Sequence, residues 1–237
     1  MTTLRDWKRK LNNMSEIISS SQNKTVKLIK ALHAKKYRDD LKQYTIESYK
    51  LIEEAIQHHR PFSLLLLSQS AFDSQLGQDL HKKSQALNIP IYISSDKVFA
   101  EISELDTPQG FLAVLYKQEQ GLEDILTRSE YNIIVLDEVR DPGNVGTIIR
   151  TADACALTAV VLTKGCVDLY NGKTIRATMG SMFHIPIITD MDAIELIESL
   201  KKSGAMVLGA DPHSDIHCMD VDRKPKMAIV IGNEANG

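Results

Sequence analysis

Cysteine is scarce: Cys155, Cys166 and Cys218 are the only three in 237 residues. Odd in number and far apart, they exclude a disulfide framework and a Cys-x-x-Cys metal clamp, and are expected to be small buried hydrophobic side chains. Aromatic residues make up 5% of the chain, with a single tryptophan, which argues against the base-stacking platform of many single-strand binders. No run approaches the roughly 18 apolar residues needed to span a bilayer. The opening MTTLRDWKRKLNNM carries charges where a secretory signal needs an apolar segment. A soluble cytoplasmic protein with no membrane partner is expected. Histidines His58 and His59 fall at a helix end, His184 precedes a strand, and His213 and His217 sit in an acidic loop. None has a matching ligand set, so no metal is expected.

What is present is enough apolar residue, 43% of the chain, to bury a real core, and a length that suits two modest domains. Charge is divided unevenly. Residues 1–60 hold 13 lysines and arginines against 7 acids, whereas residues 61–237 hold 15 against 24. A basic N-terminal face suited to phosphates, joined to a part with a different task, is one reading; solvated lysine-rich helix faces are the plain alternative.

Hydrophobic periodicity gives the organisation. SQNKTVKLIKALHAKKYRDDLKQ sets Val26, Ile29, Ala31, Leu32 and Leu41 among lysines as one amphipathic helix, with Ser21 to Asn23 available as a cap. The strand YTIES, helix SYKLIEEAIQHH, buried strand PFSLLLLS, helix DSQLGQDLHKKSQALN, strand IPIYIS, short helix VFAEISE and strand GFLAVLYK follow. This alternation predicts a small α/β domain over residues 1–117, with a basic leader at 1–20. Residues 118–130 are polar and acidic with one apolar step and read as a linker with room for a turn or two of helix. A second alternation over 131–237 starts at YNIIVLDEV, with a helix from about Asn144, and runs through TAVVLTKG, a helix through KTIRATMGSMF, HIPIIT, DAIELIESLKKSG, AMVLGAD and KMAIVIG. It predicts a parallel sheet covered on both faces. The sequence stops at Gly237, just after a strand, and a further terminal segment is expected.

Three loops fall near the carboxyl ends of predicted strands, where open α/β sheets gather ligands: DPGNVG, GCVDLYNGK with RATMG beyond it, and GNEANG. In the first, Pro142 and Gly143 bend the chain, Asn144 suits a helix cap, and Gly146 admits a close backbone approach to a bound group. Arg150 follows in the second turn as a planar fork for phosphate or carboxylate; the structural alternative is an ion pair with Asp141 or Asp153. The spacing is neither Gly-x-Gly-x-x-Gly nor a Gly-Lys-Ser/Thr phosphate loop, which disfavours a nicotinamide-dependent oxidoreductase. GNEANG by itself is equally well explained as a turn.

Together these loops resemble a known family. DEVRDPGNVGTIIRTADA is similar to the first motif of the SpoU-type (TrmH-like) RNA ribose 2′-O-methyltransferases of the SPOUT superfamily, CVDLYNGKTIRATMGSMFHIPI to the second, and VIGNEANG to the opening of the third. ISSSQNKTVKLIKAL, YTIESYKLIEEA and TPQG resemble the ribosomal-protein-like RNA-binding domain that often precedes it. The resemblance implies a C-terminal parallel-sheet α/β domain tied into a trefoil knot, incomplete in the residues given, and a homodimer formed through that domain. It implies S-adenosylmethionine as cofactor, held by Leu208, Gly209, Ala210, Ile231, Gly232, Asn233 and Gly237. It also implies a reaction centre of Arg150, Asn144, Glu234 and Arg176. RNA, ribosomal or transfer, would be met by Asn23, Lys27, Lys35, Lys36 and Arg38. Free arginine, with a pKa above about 12, is a poor base at neutral pH. Arg150 is therefore expected to bind the RNA phosphate and stabilise charge on the 2′-oxygen, oriented by Glu234 and Asn144, although the family assigns it deprotonation as well.

The chain departs from the family pattern at Ala156-Leu157 where Phe-Gly is usual, at Thr178 where Ser is common, and at Glu47-Ser48 where Glu-Gly is usual. None removes a reacting group. The alternative function is an RNA-binding assembly factor of the same fold without turnover; the presence of Asn144, Arg150 and Glu234 weighs against it.

Overall fold

The computed structural model describes residues 17–118, 120–211 and 213–233, and the chain divides into two compact units, Met1–Lys117 and Gln118–Gly237. Most of the basic leader lies outside the described residues.

In the first unit, helix α1 (Lys24–Leu32) starts at Asn23, whose side chain accepts a hydrogen bond from the Thr25 N–H at 2.8 Å. Val26, Ile29 and Leu32 turn its apolar face inward. The single helix expected here is two. At Ala34 the backbone becomes extended, and α2 (Lys35–Leu41) begins afresh. Arg38 folds back from α2, and its Nη1 donates to the carbonyl oxygens of Leu32 and His33 at 2.7 Å each. Those are the carbonyls that the end of α1 leaves without helical partners, so the guanidinium closes one helix from the next.

Then come β1 (Gln43–Glu47), α3 (Tyr49–Gln57), β2 (Phe62–Ser68), α4 (Gln69–Asp73), α5 (Gln75–Ala86), β3 (Ile91–Ser94), α6 (Asp96–Ile102) and β4 (Phe111–Tyr116). Serines start four of these helices: Ser48, Ser68, Ser74 and Ser95 accept from the N–H groups of Leu51, Ala71, Gly77 and Val98. The sheet is mixed, in the order β1-β4-β2-β3, with β4 antiparallel to both of its neighbours and β2 parallel to β3. Leu65, Leu66 and Leu67 are fully buried, as their unbroken apolar run implies.

The second unit takes in the expected linker. Its one apolar step is a short helix, α7 (Glu123–Leu126), and Leu122 and Ile125 are buried in the core with Tyr131, Ile133 and Val135. The short helix is the turn expected within the connector, and two anchored side chains fasten it to the second unit. The rest is β5 (Tyr131–Leu136), α8 (Pro142–Ala154), β6 (Ala159–Thr163), α9 (Gly172–Ala177), a 3₁₀ turn (Ser181–Phe183), β7 (Ile187–Met191), α10 (Ala193–Lys202), β8 (Met206–Gly209) and β9 (Lys226–Ile231). The helix expected through Phe183 stops at Ala177, because Met179 (φ 52°) and Gly180 (φ 100°) both leave the right-handed region. Thr178, completely buried, bonds its hydroxyl to the Ile175 carbonyl at 2.7 Å.

All five strands are parallel, in the order β7-β6-β5-β9-β8. The chain starts mid-sheet at β5, moves outward through β6 and β7, then crosses to the far edge at β8 and fills the gap with β9. The order of the strands along the chain therefore reverses between β5 and β9. A crevice at that point is what the topology supplies. Contrary to expectation, Cys155 is exposed and Cys166 only half-buried. No helix among the described residues is long and apolar enough to cross a membrane.

Candidate active site

The loop after β5 is pinned before it reaches α8. Asp137 accepts from the Thr163 hydroxyl at 2.7 Å, and the same hydroxyl oxygen accepts from the Glu138 N–H at 3.2 Å. Glu138 sits at φ 53° and turns the chain sharply; its carboxylate pairs with Arg140 at 2.6 Å. Helix α8 is capped by Asp141, which accepts from the Asn144 N–H at 2.8 Å, with Pro142 in the first turn. Asn144 is therefore not the cap, as expected from sequence. It lies in the first turn and is exposed, while Asp141 does the capping.

Gly146 also has a different task from the expected one. A Cβ there would stand 2.3 Å from Ala177 Cβ and 2.6 Å from its carbonyl carbon. What it admits is α9, the helix of the second motif, so the two motifs are joined backbone to backbone. Arg176, half-buried on α9, is carried into this neighbourhood by that packing.

A cavity of about 140 Å³ opens at the crevice, lined by Val139, Asn144, Thr147, Ile148, Ile231 and Gly232. Asn144, Ile231 and Gly232 were expected; Val139, Thr147 and Ile148 were not. The last two follow Asn144 at three- and four-residue helical spacing inside the same motif, which was the available signal. Arg150 stands less than a turn beyond Thr147 and is not among the lining residues. It is exposed and makes no hydrogen bond or ion pair among the described residues. Both expected acidic partners are otherwise engaged, Asp141 as the cap and Asp153 with His184 Nδ1 at 2.8 Å.

Leu208, Gly209 and Ala210 end β8 beside β9. Gly209 is in register with Val230, and the Ala210 N–H donates to the Val230 carbonyl at 2.9 Å. The structure thus sets this triplet one strand from the cavity rather than in its wall. Asn233 turns its Nδ2 onto the Glu138 carbonyl at 2.9 Å, tying the loop after β9 to the loop after β5. Glu234 and Gly237 lie outside the described residues. Nearby, Cys166 Sγ contacts the Leu136 carbonyl at 3.2 Å, and burial raises its thiol pKa despite hydrogen bonds that lower it. That thiol is a poor nucleophile.

In the first unit, Lys27, Lys35 and Lys36 are exposed. Arg38 is not: it is 5% exposed and occupied by the α1 carbonyls, and Asn23 is committed as a helix cap. The cation expected at 38 is structural. Lys117 pairs with Asp39 at 2.6 Å, a bond that holds the Asp39 carboxyl below its ordinary pKa against the opposing effect of burial.

Residues 131–237 match the SpoU rRNA Methylase family, and residues 23–113 match the MRM3-like substrate binding domain. The chain is 34% identical over 220 residues to the 23S rRNA (guanosine(2553)-2′-O)-methyltransferase RlmP of Bacillus subtilis, covering 93% of this chain and 83% of that protein. It is 31% identical to the mitochondrial rRNA methyltransferase 3 of Xenopus laevis over 78% of this chain, which amounts to 44% of that longer protein. A crystal structure of an rRNA methyltransferase from Sinorhizobium meliloti superposes with a TM-score of 0.83 at 29% identity, over 94% of this chain and 83% of that one. Its AdoMet-bound form gives 0.82. The chain belongs to the SpoU rRNA methylase family.

Proposed function

We propose that this protein transfers a methyl group from S-adenosylmethionine to a ribose 2′-hydroxyl of ribosomal RNA, with the second unit doing the chemistry and the first supplying RNA affinity. The observation that supports it is the crevice between β5 and β9, where two family motifs meet in one cavity. Relatives that share the whole two-part arrangement are named as rRNA 2′-O-methyltransferases, and the Sinorhizobium meliloti structure holds AdoMet.

The residues fit part of such a group. Val139, Ile148 and Ile231 offer apolar walls, Asn144 a polar amide, and Gly232 a backbone without a side chain in the way. When bound, S-adenosylmethionine supplies an electrophilic methyl sulfonium. What remains for the protein is to hold the 2′-hydroxyl in line and to stabilise the negative charge that develops on its oxygen. We assign Arg150 to that charge and to the adjoining phosphate, because its guanidinium is exposed beside the cavity with no protein partner among the described residues. Asn144 and Glu234 would orient it, and Arg176 would meet the substrate from α9. Leu208, Gly209 and Ala210 would extend the cofactor surface along β8, with Gly237 beyond β9. Lys27, Lys35 and Lys36 would bind phosphates without reading sequence.

Two finer points belong to the same proposal: a trefoil knot in the second unit, and a homodimer formed through it. The family resemblance supports both, and sedimentation equilibrium tests the dimer. The central test is transfer of labelled methyl to ribosomal RNA, followed by mapping of 2′-O-methyl sites in cells with and without the gene. Salt-dependent RNA binding with no label incorporated would instead favour the assembly-factor reading.

A further inference from the structure

The loops after β5 and β9 are held by one polar chain that no motif announces. It begins at Thr163, the last residue of β6, which is 3% exposed. Its hydroxyl donates to Asp137 Oδ1 at 2.7 Å and accepts from the Glu138 N–H at 3.2 Å. A hydroxyl can do both at once, whereas neither a methyl nor a carboxylate can. The second bond acts on the residue at φ 53°, a conformation that is unfavourable for a non-glycine side chain and persists only when its surroundings enforce it. Turned this way, the Glu138 carbonyl accepts from Asn233 Nδ2 at 2.9 Å. The Val167 N–H donates to the Val139 carbonyl at 3.0 Å, so the loop after β6 holds the next residue too. Val139 is itself a wall of the cavity, and Gly232, the neighbour of Asn233, is another.

We infer that Thr163 is a positioning residue for cofactor binding. It holds the turned Glu138 backbone at its N–H, and the carbonyl of the same residue holds Asn233, so the two loops that face each other across the cavity are set by one hydroxyl. Asn233 on this view is a latch between loops rather than a ligand of the cofactor. The inference rests on the assignment of the cavity to S-adenosylmethionine.

The test is a double-substitution cycle read by calorimetric binding of S-adenosylmethionine to the protein. Thr163→Val keeps the shape and removes the hydroxyl; it is expected to raise Kd roughly tenfold, the worth of one hydrogen bond in a cavity wall. Thr163→Ser is expected to restore Kd to within about threefold of the parent. Asn233→Ala is expected to weaken binding to a similar degree, and the double variant to be little worse than either single one, because both act through the backbone turn at Glu138. RNA affinity at fixed salt should stay unchanged in all four. Should Thr163→Val lower the melting temperature, Asn233→Ala carries the same measurement from a partly exposed loop outside the core. Full additivity of the two effects, failure of serine to rescue, or parental Kd in Thr163→Val would each overturn the inference. A parent protein that binds no S-adenosylmethionine would overturn the cavity assignment and the clamp with it, an outcome visible before any variant is made.

Discussion

Arg38 in the first unit and Arg150 in the second occupy similar surroundings in the sequence, each on a helix beside lysines or threonines in a stretch that resembles a binding motif. Their fates are opposite. Arg38 is buried with its guanidinium on two carbonyl oxygens, while Arg150 is exposed and makes no bond among the described residues. The difference lies in what the nearest helix end lacks. Helix α1 ends without a glycine and leaves carbonyls that need a donor, and Arg38 is within reach. Helix α8 is already satisfied at its start by Asp141, and Asp153, three residues after Arg150 on the same helix, is held by His184. An arginine becomes available to a ligand when the fold has no use for it.

The largest expected effect breaks the pair on the Arg150 side. Arg150→Ala should lower methyl transfer by about a hundredfold to a thousandfold, the range for loss of one group that stabilises transition-state charge. Its melting temperature and S-adenosylmethionine Kd should remain within error, because the side chain makes no hydrogen bond or ion pair among the described residues. Equal losses of binding and turnover would place Arg150 in the cofactor site instead.

Arg38→Ala should do the reverse. Removing a charged donor from one buried and one partly buried carbonyl should destabilise the first unit by about 2–3 kcal/mol, measured by denaturant unfolding. RNA affinity of the folded protein should change little. Lys27→Ala provides the contrast: stability unchanged, and the slope of log affinity against log salt reduced by about 1. If Arg38→Ala reduced that slope while leaving stability intact, the structural assignment of Arg38 would be wrong.

The two units should also separate by pH. His81 in the first unit has its pKa lowered by burial, its Nδ1 lacks a partner among the described residues, and its ring stacks edge-on with Phe72. The unfolded chain then binds the proton more readily, so the stability that His81 contributes is present above its ordinary pKa of 6.5 and is lost as pH falls below it. Cys166 in the second unit has its pKa raised, chiefly by burial, so the unfolded thiol ionises first and stability is lost as pH rises above its ordinary value of 9.0. Hydrogen exchange resolved by peptide should show acid loosening around His81 and alkaline loosening around Cys166. His81→Phe should remove the first, and Cys166→Ala the second.

The parts of this arrangement that sequence could reveal are those where composition is forced. Pro142, Gly143 and the helix behind them required a strand-to-helix junction, and the reversal of strand order put it opposite Gly232 and Asn233. The cap was legible in principle, because proline favours the first helical position and so points to Asp141 before it; Asn144 is an equally good capping type and obscured this. Gly146 was seen, but a sequence does not say whether the close neighbour of a glycine is a ligand or, as here, Ala177. The break at Ala34 left no mark, since no glycine or proline stands there. Thr163 was invisible because a threonine ending a strand is ordinary; only the register of β5 against β6 gives its hydroxyl two partners.

The smallest effects concern two positions where a residue other than glycine holds positive φ: Ser48, where the family usually has glycine, and Ala156. Ser48 adopts φ 146°, ψ 152°, a region that costs a side chain about 1–3 kcal/mol, while its hydroxyl caps α3 at 3.2 Å. Glycine gives up only a few tenths of a kcal/mol as a cap replacement and somewhat more to the entropy of the unfolded chain. Ser48→Gly should therefore stabilise the first unit by about 1 kcal/mol, read from its denaturation midpoint. Ala156 sits at φ 52° just past α8, where left-handed backbone costs about 1–2 kcal/mol. Flexibility gained in the unfolded chain cancels about 0.4–1 kcal/mol of the relief, so Ala156→Gly should gain only about half a kcal/mol. A loss at either position would mean that the side chain, not the backbone, decides that turn.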